Sequence, residues 1–263
     1  MKKIIALIMA LVMALCLGAC GNSEKSDAEY VKDNGKMVIG MTLFAPMNYY
    51  KDNKLIGFET EFAQAVCKEL GVEAEFIEID WDAKETELAS KKIDCIWNGM
   101  TITPERQEEM SISNPYMANK QVLVVNADKA GITSVAGLKI AVEAGSAGET
   151  VVNEDPYFDG IAECVPVKSM ATALMELKAG KVDACVIDYV TSLGSIGEGT
   201  EYADMVIVEA AQFELGNDEQ YGIAFRKGSD LTEEVNGIIE KLIENGTLDE
   251  IAKKYKLEDQ LIK

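Results

Sequence analysis

The stretch from Trp97 to Gln107, with the sequence WNGMTITPERQ, holds the residues best suited to bind a charged small molecule. Arg106 carries a planar guanidinium with five donors, which can give a carboxylate two parallel hydrogen bonds. The Thr101 hydroxyl and the backbone near Gly99 lie within a few residues of it. The stretch therefore predicts a site for a carboxylate. On these residues alone, an ordinary helix start with a solvated arginine remains an alternative.

Local signals place this stretch where a strand passes into a helix. The apolar run from Ile93 to Trp97 predicts the strand. Thr103 and Pro104 are typical of a helix N-cap and of the first helical residue. Asn98 follows the strand directly, so its amide is a further candidate contact for a ligand. Polar groups therefore gather at one strand end, which is where open α/β sheets bind ligands.

A second part of the chain repeats this arrangement. The segments 88–96 and 177–185 place a helix end, a turn, a lysine, a β-branched residue and an aspartate in the same register. The strands that follow run to Gly99 and to Asp188, which are aligned positions. Asp188 is therefore a candidate partner for a positive group, and its alternative role is to cap the helix that begins near Tyr189.

Three more candidates lie where a predicted strand passes into a predicted helix in this second part. Ser146 and Ala147 open the helix, whose first N–H groups and positive dipole end would favour an anion. Ser146 and Glu149 match a capping box. Glu143 ends the preceding strand and could meet a cationic or amide group, although exposure to solvent is the alternative for a lone glutamate.

The alternation of predicted strands and helices indicates an α/β fold with two lobes. Strand, helix, strand, helix and strand follow one another between residues 36 and 117, and a second copy of the pattern follows between 118 and 218. This order is typical of a parallel sheet with helices on both faces. The tail, residues 219–263, adds a strand and two helices.

The N-terminus predicts export. Residues 1–19 combine two lysines with an apolar run that is too short to span a bilayer, which is typical of a signal peptide. The sequence LGAC at 17–20 is similar to a lipobox, so we expect Cys20 to carry a lipid and residues 20–35 to form a tether. The alternative is an ordinary cleavage site and a soluble secreted protein.

Charge and cysteine content exclude several classes of function. Residues 1–19 hold two lysines and no acids, so their removal takes the formal charge from −20 to −22. Such an acidic chain is not expected to bind nucleic acid. Without histidine or a CxxC pair we expect no metal site and no cofactor. Buried free thiols are favoured for Cys67, Cys95 and Cys185, while a disulfide involving these or Cys164 stays open.

Residues 99–107, GMTITPERQ, resemble the signature of family 3 extracellular solute-binding proteins, the amino-acid receptors of bacterial ABC importers. Other segments resemble the same family in the same order: 57–61, 92–95, 115–116, 182–188, 221–225 and 245–248. Together they span roughly residues 36–255. The resemblance implies a two-lobed, type II periplasmic-binding-protein-like fold in which each lobe is a sheet flanked by helices. It also implies that residues 219–263 return to the first lobe, with a two-crossing hinge near 117–121 and 218–222.

The resemblance further implies that a free amino acid binds between the lobes. Arg106 and the Thr101 N–H would hold its carboxylate, with help from the amides at 146–147. Asp188 would hold its ammonium beside the Thr101 hydroxyl and the Gly99 carbonyl. Burying either end of a zwitterion without an opposite charge is costly, so both partners are needed.

The side chain of the ligand is less well specified. Phe44 and Trp81 match positions where the family sandwiches the ligand between aromatic rings, although packing in the core is the alternative. Met41 stands where several relatives with polar or basic ligands carry an acid, whereas Glu143 supplies an acid elsewhere. We expect a polar or basic amino acid, and cystine is a further possibility.

The resulting prediction is a lipoprotein, anchored outside the cytoplasm, that delivers an amino acid to an ABC permease. We expect a monomer without catalytic residues. One alternative is a lipoprotein that senses a ligand for a separate signalling receptor. Another is a dehydratase-type enzyme on the same fold, against which the absence of histidine counts.

Overall fold

The computed structural model of the protein describes residues 25–263. The predicted signal peptide, the lipidation at Cys20 and the first residues of the predicted tether lie outside this range. Within it, a helix and not a tether occupies residues 27–34, because Ala28 and Val31 are buried in the core of the first lobe. Asp27 also accepts hydrogen bonds from Arg226 at 3.0 Å, which joins this helix to the C-terminal segment.

The described chain contains thirteen strands and nine α-helices. The strands are β1 (Lys36–Met41), β2 (Tyr49–Lys51), β3 (Lys54–Ile56), β4 (Glu73–Glu78), β5 (Cys95–Thr101), β6 (Met110–Ile112), β7 (Met117–Asn119), β8 (Gln121–Asn126), β9 (Lys139–Glu143), β10 (Glu163–Val167), β11 (Ala184–Asp188), β12 (Met205–Ile207) and β13 (Glu219–Arg226). The helices are α1 (Asp27–Asn34), α2 (Phe58–Leu70), α3 (Lys84–Ala89), α4 (Pro104–Glu109), α5 (Ala147–Glu154), α6 (Met170–Lys178), α7 (Tyr189–Ser195), α8 (Leu231–Glu244) and α9 (Thr247–Lys254).

Two main sheets define the two lobes. The first has the order β4-β1-β5-β13-β6, with β7 also paired to β13, and the second has the order β10-β9-β11-β8-β12. In each sheet the first three strands are parallel, and the next strand, β13 or β8, is antiparallel to them. The two sheets are therefore mixed, and they share one strand order, as the internal repeat predicts.

The chain crosses between the sheets twice. It leaves the first sheet after β7, passes Lys120 and enters the second sheet at β8. It returns between β12 and β13, and β13 pairs with β5, β6 and β7 of the first sheet. The tail thus completes the first lobe. Among residues 25–263, no helix is both long and apolar enough to traverse a bilayer.

Strand β5 lies further toward the C-terminus than its sequence predicts. It begins at Cys95, two residues after the predicted start at Ile93, and it continues past Gly99, where the internal repeat places its end, to Thr101. It lies between β1 and β13, so its backbone groups find partners on both sides. Helix α4 then begins at Pro104 with Thr103 as its N-cap, as predicted.

Apolar side chains fill each lobe on both faces of its sheet. The first lobe contains a ring cluster in which Phe62 meets Trp97 edge-on at 4.9 Å between centroids. In the second lobe, one cluster includes Leu174 of α6 and the other includes Phe158, shortly after α5 in the chain. Cys67, Cys95 and Cys185 are buried free thiols, as predicted, and Cys164 is a partly buried free thiol.

Candidate functional site

The lobes enclose a narrow cavity of about 10 Å³. Its lining consists of Trp81, Asn98, Gly99, Thr101, Arg106, Glu143, Ser146, Ala147, Met170 and Asp188. Nine of the ten residues predicted to bind a ligand are in this lining, and Phe44 is the exception. Met170, at the start of α6, is the one lining residue that the sequence does not single out.

Strand ends bring these residues together from distant parts of the chain. Gly99 and Thr101 lie at the end of β5, Glu143 ends β9, and Asp188 ends β11. Strand β5 belongs to the first sheet, whereas β9 and β11 are neighbours in the second. Each has a parallel neighbour in its own sheet, and their carboxyl ends meet at the cleft between the lobes. The start of α5 follows β9 after a short turn and adds Ser146 and Ala147.

Arg106 is a mostly buried cation with unused donors. Its Nη1 donates to the Thr101 carbonyl at 2.8 Å, and its Nη2 lies 3.4 Å from the Gly145 carbonyl of the second lobe. Among the described residues, no carboxylate lies within ion-pair distance of its guanidinium. Because a buried guanidinium without an anion is destabilising, this arrangement suits an anionic ligand. Burial lowers the pKa of Arg106.

Asp188 faces the cavity from the other lobe. Its Oδ1 accepts from Gln121 Nε2 and its Oδ2 accepts from the Tyr221 hydroxyl, both at 2.5 Å. Although it occupies the N-cap position of α7, its side chain makes no capping hydrogen bond. Burial raises the pKa of Asp188 above its usual range. The carboxylate is thus oriented by neighbours and keeps lone pairs for a donor.

Glu219 is a second acid beside Asp188 that the sequence does not reveal as a site residue. Its Oε2 accepts hydrogen bonds from Gln121 at 2.8 Å, Asn119 at 2.7 Å and Thr101 at 3.3 Å. Burial and the charge of Asp188 raise the pKa of Glu219 to about 7. These residues lie where the two crossings meet, so the cavity and the connecting strands share one polar network.

Glu143 is buried rather than exposed, with 3% of its surface accessible. The Thr42 hydroxyl of the first lobe donates to its Oε1 at 3.1 Å, and Thr42 in turn accepts from the Asn98 amide at 2.7 Å. Burial, with a smaller contribution from Asp188, raises the pKa of Glu143 to about 8. A carboxyl group that is costly to ionise therefore faces the cavity.

Glu59 supports the cavity from behind. It accepts a hydrogen bond from the Gly99 N–H at 2.7 Å, another from the Asn48 amide at 2.7 Å, and a third from the Tyr116 hydroxyl. Asn48 also donates to Asn98 at 3.1 Å. Burial raises the pKa of Glu59 to about 7. The resemblance singles out segment 57–61 without giving it a role. In the structure, Glu59 of this segment holds Gly99 directly and holds Asn98 through Asn48.

The two candidate aromatic residues are separated. Trp81 lines the cavity. Phe44 is buried in the core of the first lobe, close enough to Gly99 that a Cβ added there would lie 2.9 Å from its ring. Phe44 instead lines a different opening between the lobes, together with Tyr49 and Tyr202. The two rings therefore line different openings in this arrangement.

The start of α5 is capped as the sequence predicts, with one shift. Ser146 accepts from the Glu149 N–H at 3.1 Å. Glu149 reaches back to the Gly145 N–H at 2.7 Å, one residue before the N-cap itself. Since the first N–H groups of a helix lack partners within the helix, the amides beside the cavity suit an anion.

The charges around the cavity are unequal in number. Four buried acids surround it: Glu59, Glu143, Asp188 and Glu219. The cation in its lining is Arg106. A molecule that carries both signs, with extra positive charge, would stabilise the ionised form of these acids. Among residues 25–263, no group of three or more potential ligands could hold a metal ion.

The fold and the cavity together define the class of the protein. It is a protein of two α/β lobes that face each other across a narrow cavity lined by polar and charged residues. The sequence matches the model of the bacterial extracellular solute-binding proteins, family 3, over residues 37–258, and the chain belongs to that family. The resemblance stated from the motifs is therefore confirmed.

Similar proteins with described ligands support this assignment. The chain is 30% identical over 260 residues to the arginine-binding extracellular protein ArtP of Bacillus subtilis (strain 168). The aligned region covers 97% of this chain and 98% of that protein. It is 31% identical over 235 residues to the L-cystine-binding protein TcyJ of Escherichia coli (strain K12), covering 86% and 84%. An ABC uptake transporter substrate binding protein from Streptococcus pneumoniae with bound histidine has a TM-score of 0.81 at 30% identity, covering 92% and 100%.

Proposed function

We propose that this protein captures a free amino acid with a polar or basic side chain, and we favour a basic one. The observation that carries the proposal is the unpaired Arg106 guanidinium in one lobe, opposite the Asp188 carboxylate in the other. Arg106 and the amides at 146–147 would hold the carboxylate of the ligand. Asp188, with Thr101 and the Gly99 carbonyl, would hold its ammonium.

Glu143 is the candidate acceptor for a basic side chain. It is a buried acid with one hydrogen bond, from Thr42, and it lines the same cavity as Trp81. A cation beside Glu143 would compensate the loss of hydration that raises its pKa. The tryptophan ring could cover an apolar stem or a flat cationic group. ArtP is described as binding arginine, in agreement with this choice.

Binding would be coupled to closure of the lobes and to delivery. Contacts from both lobes favour the closed form only if the ligand touches both, as the positions of Arg106 and Asp188 allow. The closed form would be handed to the permease of an ABC importer. The proposal includes a monomer held outside the cytoplasm by a lipid on Cys20, and it includes no catalytic step.

A thermal-shift screen of the twenty amino acids and cystine tests the proposal. A ligand at about 100 times its Kd should raise the melting temperature by roughly 5–10 °C, because it binds only the folded state. We expect the largest shift with L-arginine or another basic amino acid. Agmatine, which is arginine without its carboxylate, is the matched control and should give no shift. A uniform lack of response would contradict the proposal.

Proton release provides a second test at pH 7. Glu143, with a pKa near 8, is mostly protonated before binding, and a cationic side chain should lower that pKa. L-Arginine should therefore release up to about one proton more than L-glutamine. Calorimetry in two buffers of different ionisation enthalpy measures this difference. Glu143→Gln should remove it, and an equal release for both ligands in the wild type would rule out Glu143 as the acceptor.

A further inference from the structure

Lys84, the first residue of α3, is a buried lysine that bridges the two lobes. Only 3% of its surface is accessible. Its Nζ donates to the Trp81 carbonyl in its own lobe at 3.1 Å and to the Gly145 carbonyl in the second lobe at 3.0 Å. The exposed Glu85 carboxylate lies 3.3 Å away. Lysines are rarely this buried without a specific partner, so the contact with Gly145 needs an explanation.

Gly145 is shaped to receive this contact. Its φ is +68°, a conformation that favours glycine. A Cβ at this position would lie 3.0 Å from the Asp82 Cα and 3.4 Å from Lys84 Nζ. The turn at 82–84 of the first lobe therefore rests directly on the Gly145 peptide. A side chain there would push the lobes apart.

We propose that Lys84 and the Gly145 peptide form a latch that stabilises the closed lobes and so raises the affinity for the ligand. Lys84 is not in the lining of the cavity, so it acts as a positioning residue without contacting the ligand. The inference rests on the proposed function, because the closure that it describes is the one that would capture the amino acid.

The latch works because its hydrogen bond exists only when the lobes meet. In an open form, the ammonium would be hydrated and the Gly145 carbonyl would lose this donor. A charge-assisted hydrogen bond in a water-poor contact is stronger than a neutral one. The apparent affinity of a protein falls in proportion to the population of its binding-competent state. Loss of the latch should therefore weaken all ligands by a similar factor.

Lys168 offers a matched comparison, since it also crosses between the lobes. Its Nζ lies 3.7 Å from Glu78 and 3.6 Å from Asp80, and its side chain is 61% exposed. Exposed ion pairs of this kind contribute little because water and salt screen them. Removing the Lys168 charge should change closure far less than removing the Lys84 charge.

The test compares Lys84→Met with Lys168→Met in the mature protein. Trp81 is 4% exposed in the closed arrangement, while Trp97 is buried in the core, so acrylamide quenching of tryptophan fluorescence reports opening. We expect Lys84→Met to increase quenching and to lower the affinities for L-arginine, L-histidine and L-glutamine about tenfold each. Lys168→Met should resemble the wild type in both measurements. Unchanged quenching and affinity in Lys84→Met would overturn the latch.

A second variant guards against an indirect effect on Trp81, which lies under Lys84. Gly145→Ala should also increase quenching and weaken binding. Because both substitutions remove the same contact, the double variant should lose no more affinity than the more severe of the two single variants. Fully additive losses would argue against a shared contact. If none of the three amino acids binds the wild type, the proposed function fails, whereas the ligand-free quenching comparison still decides the latch.

Discussion

Replacing Arg106 with alanine is expected to abolish amino-acid binding while leaving the fold intact. The guanidinium is the cation in the cavity lining, and its Nη1 is oriented by the Thr101 carbonyl. Without it, a bound carboxylate would be buried with helix amides as its main partners. The loss should be at least about 10³-fold, because an unpaired buried charge is strongly destabilising. Isothermal titration calorimetry with L-arginine measures it.

The other arginine visible in the sequence, Arg226, is a natural control. It donates to Asp27 and to the Ile93 carbonyl at 2.8 Å, and it joins α1 to the end of β13. Arg226 is not in the lining of the cavity. Arg226→Ala should lower the melting temperature and retain binding, whereas Arg106→Ala should retain the melting temperature and lose binding. Arg106→Lys should bind weakly, since a lysine cannot give two parallel hydrogen bonds. Wild-type affinity in Arg106→Ala would disprove the site.

Replacing Asp188 with asparagine is expected to cause the second largest loss of affinity, on the order of 10²- to 10³-fold. The substitution keeps the shape of the side chain and removes the charge proposed to meet the ligand ammonium. Hydrogen bonds from Gln121 and Tyr221 fix the Asp188 side chain in place, so no other acid can take over its position. The effect should be the same for every amino acid tested, because all share the ammonium group.

Asp183 is the control for Asp188. It lies immediately before the first residue of β11, whereas Asp188 is the last residue of that strand. It pairs with Lys129 at 2.9 Å near the surface. Asp183→Asn should therefore leave affinity within about twofold of the wild type, since exposed pairs contribute little. A selective loss of basic ligands in Asp188→Asn, with neutral ones unaffected, would show that Asp188 meets the ligand side chain instead of its ammonium.

Glu219 makes the Asp188 site more than a single carboxylate. Gln121 donates to both acids from one nitrogen atom, and Glu219 also accepts from Asn119 and Thr101. Each acid raises the cost of ionising the other. A ligand ammonium would relieve this repulsion. The network also joins the first residues of β8 and β13, which the predicted hinge contains.

Residues whose role is set by their neighbours in the chain are predictable from the sequence. The N-cap at Thr103, the cap at Ser146 and the strand end at Asp188 all follow from local patterns, and the structure has each of them. The bounds of β5 are not encoded locally, because they depend on pairing with β1 and β13 at its sides. The helix at 27–34 buries only Ala28 and Val31, so its apolar face is too small for the sequence pattern to predict it.

The sequence by itself determined the two α/β lobes, through helical and strand periodicity, and it determined nine of the cavity residues, through strand ends and the resemblance. Tertiary structure decided which acids are buried, since Glu143 meets Thr42, and Thr101 meets Glu219, across 101 and 118 positions of the chain. It also decided that Phe44 lies outside the cavity and that Lys84 reaches Gly145. The physical reason is that burial and pairing arise from segments brought together only by folding, and no local pattern encodes those distances.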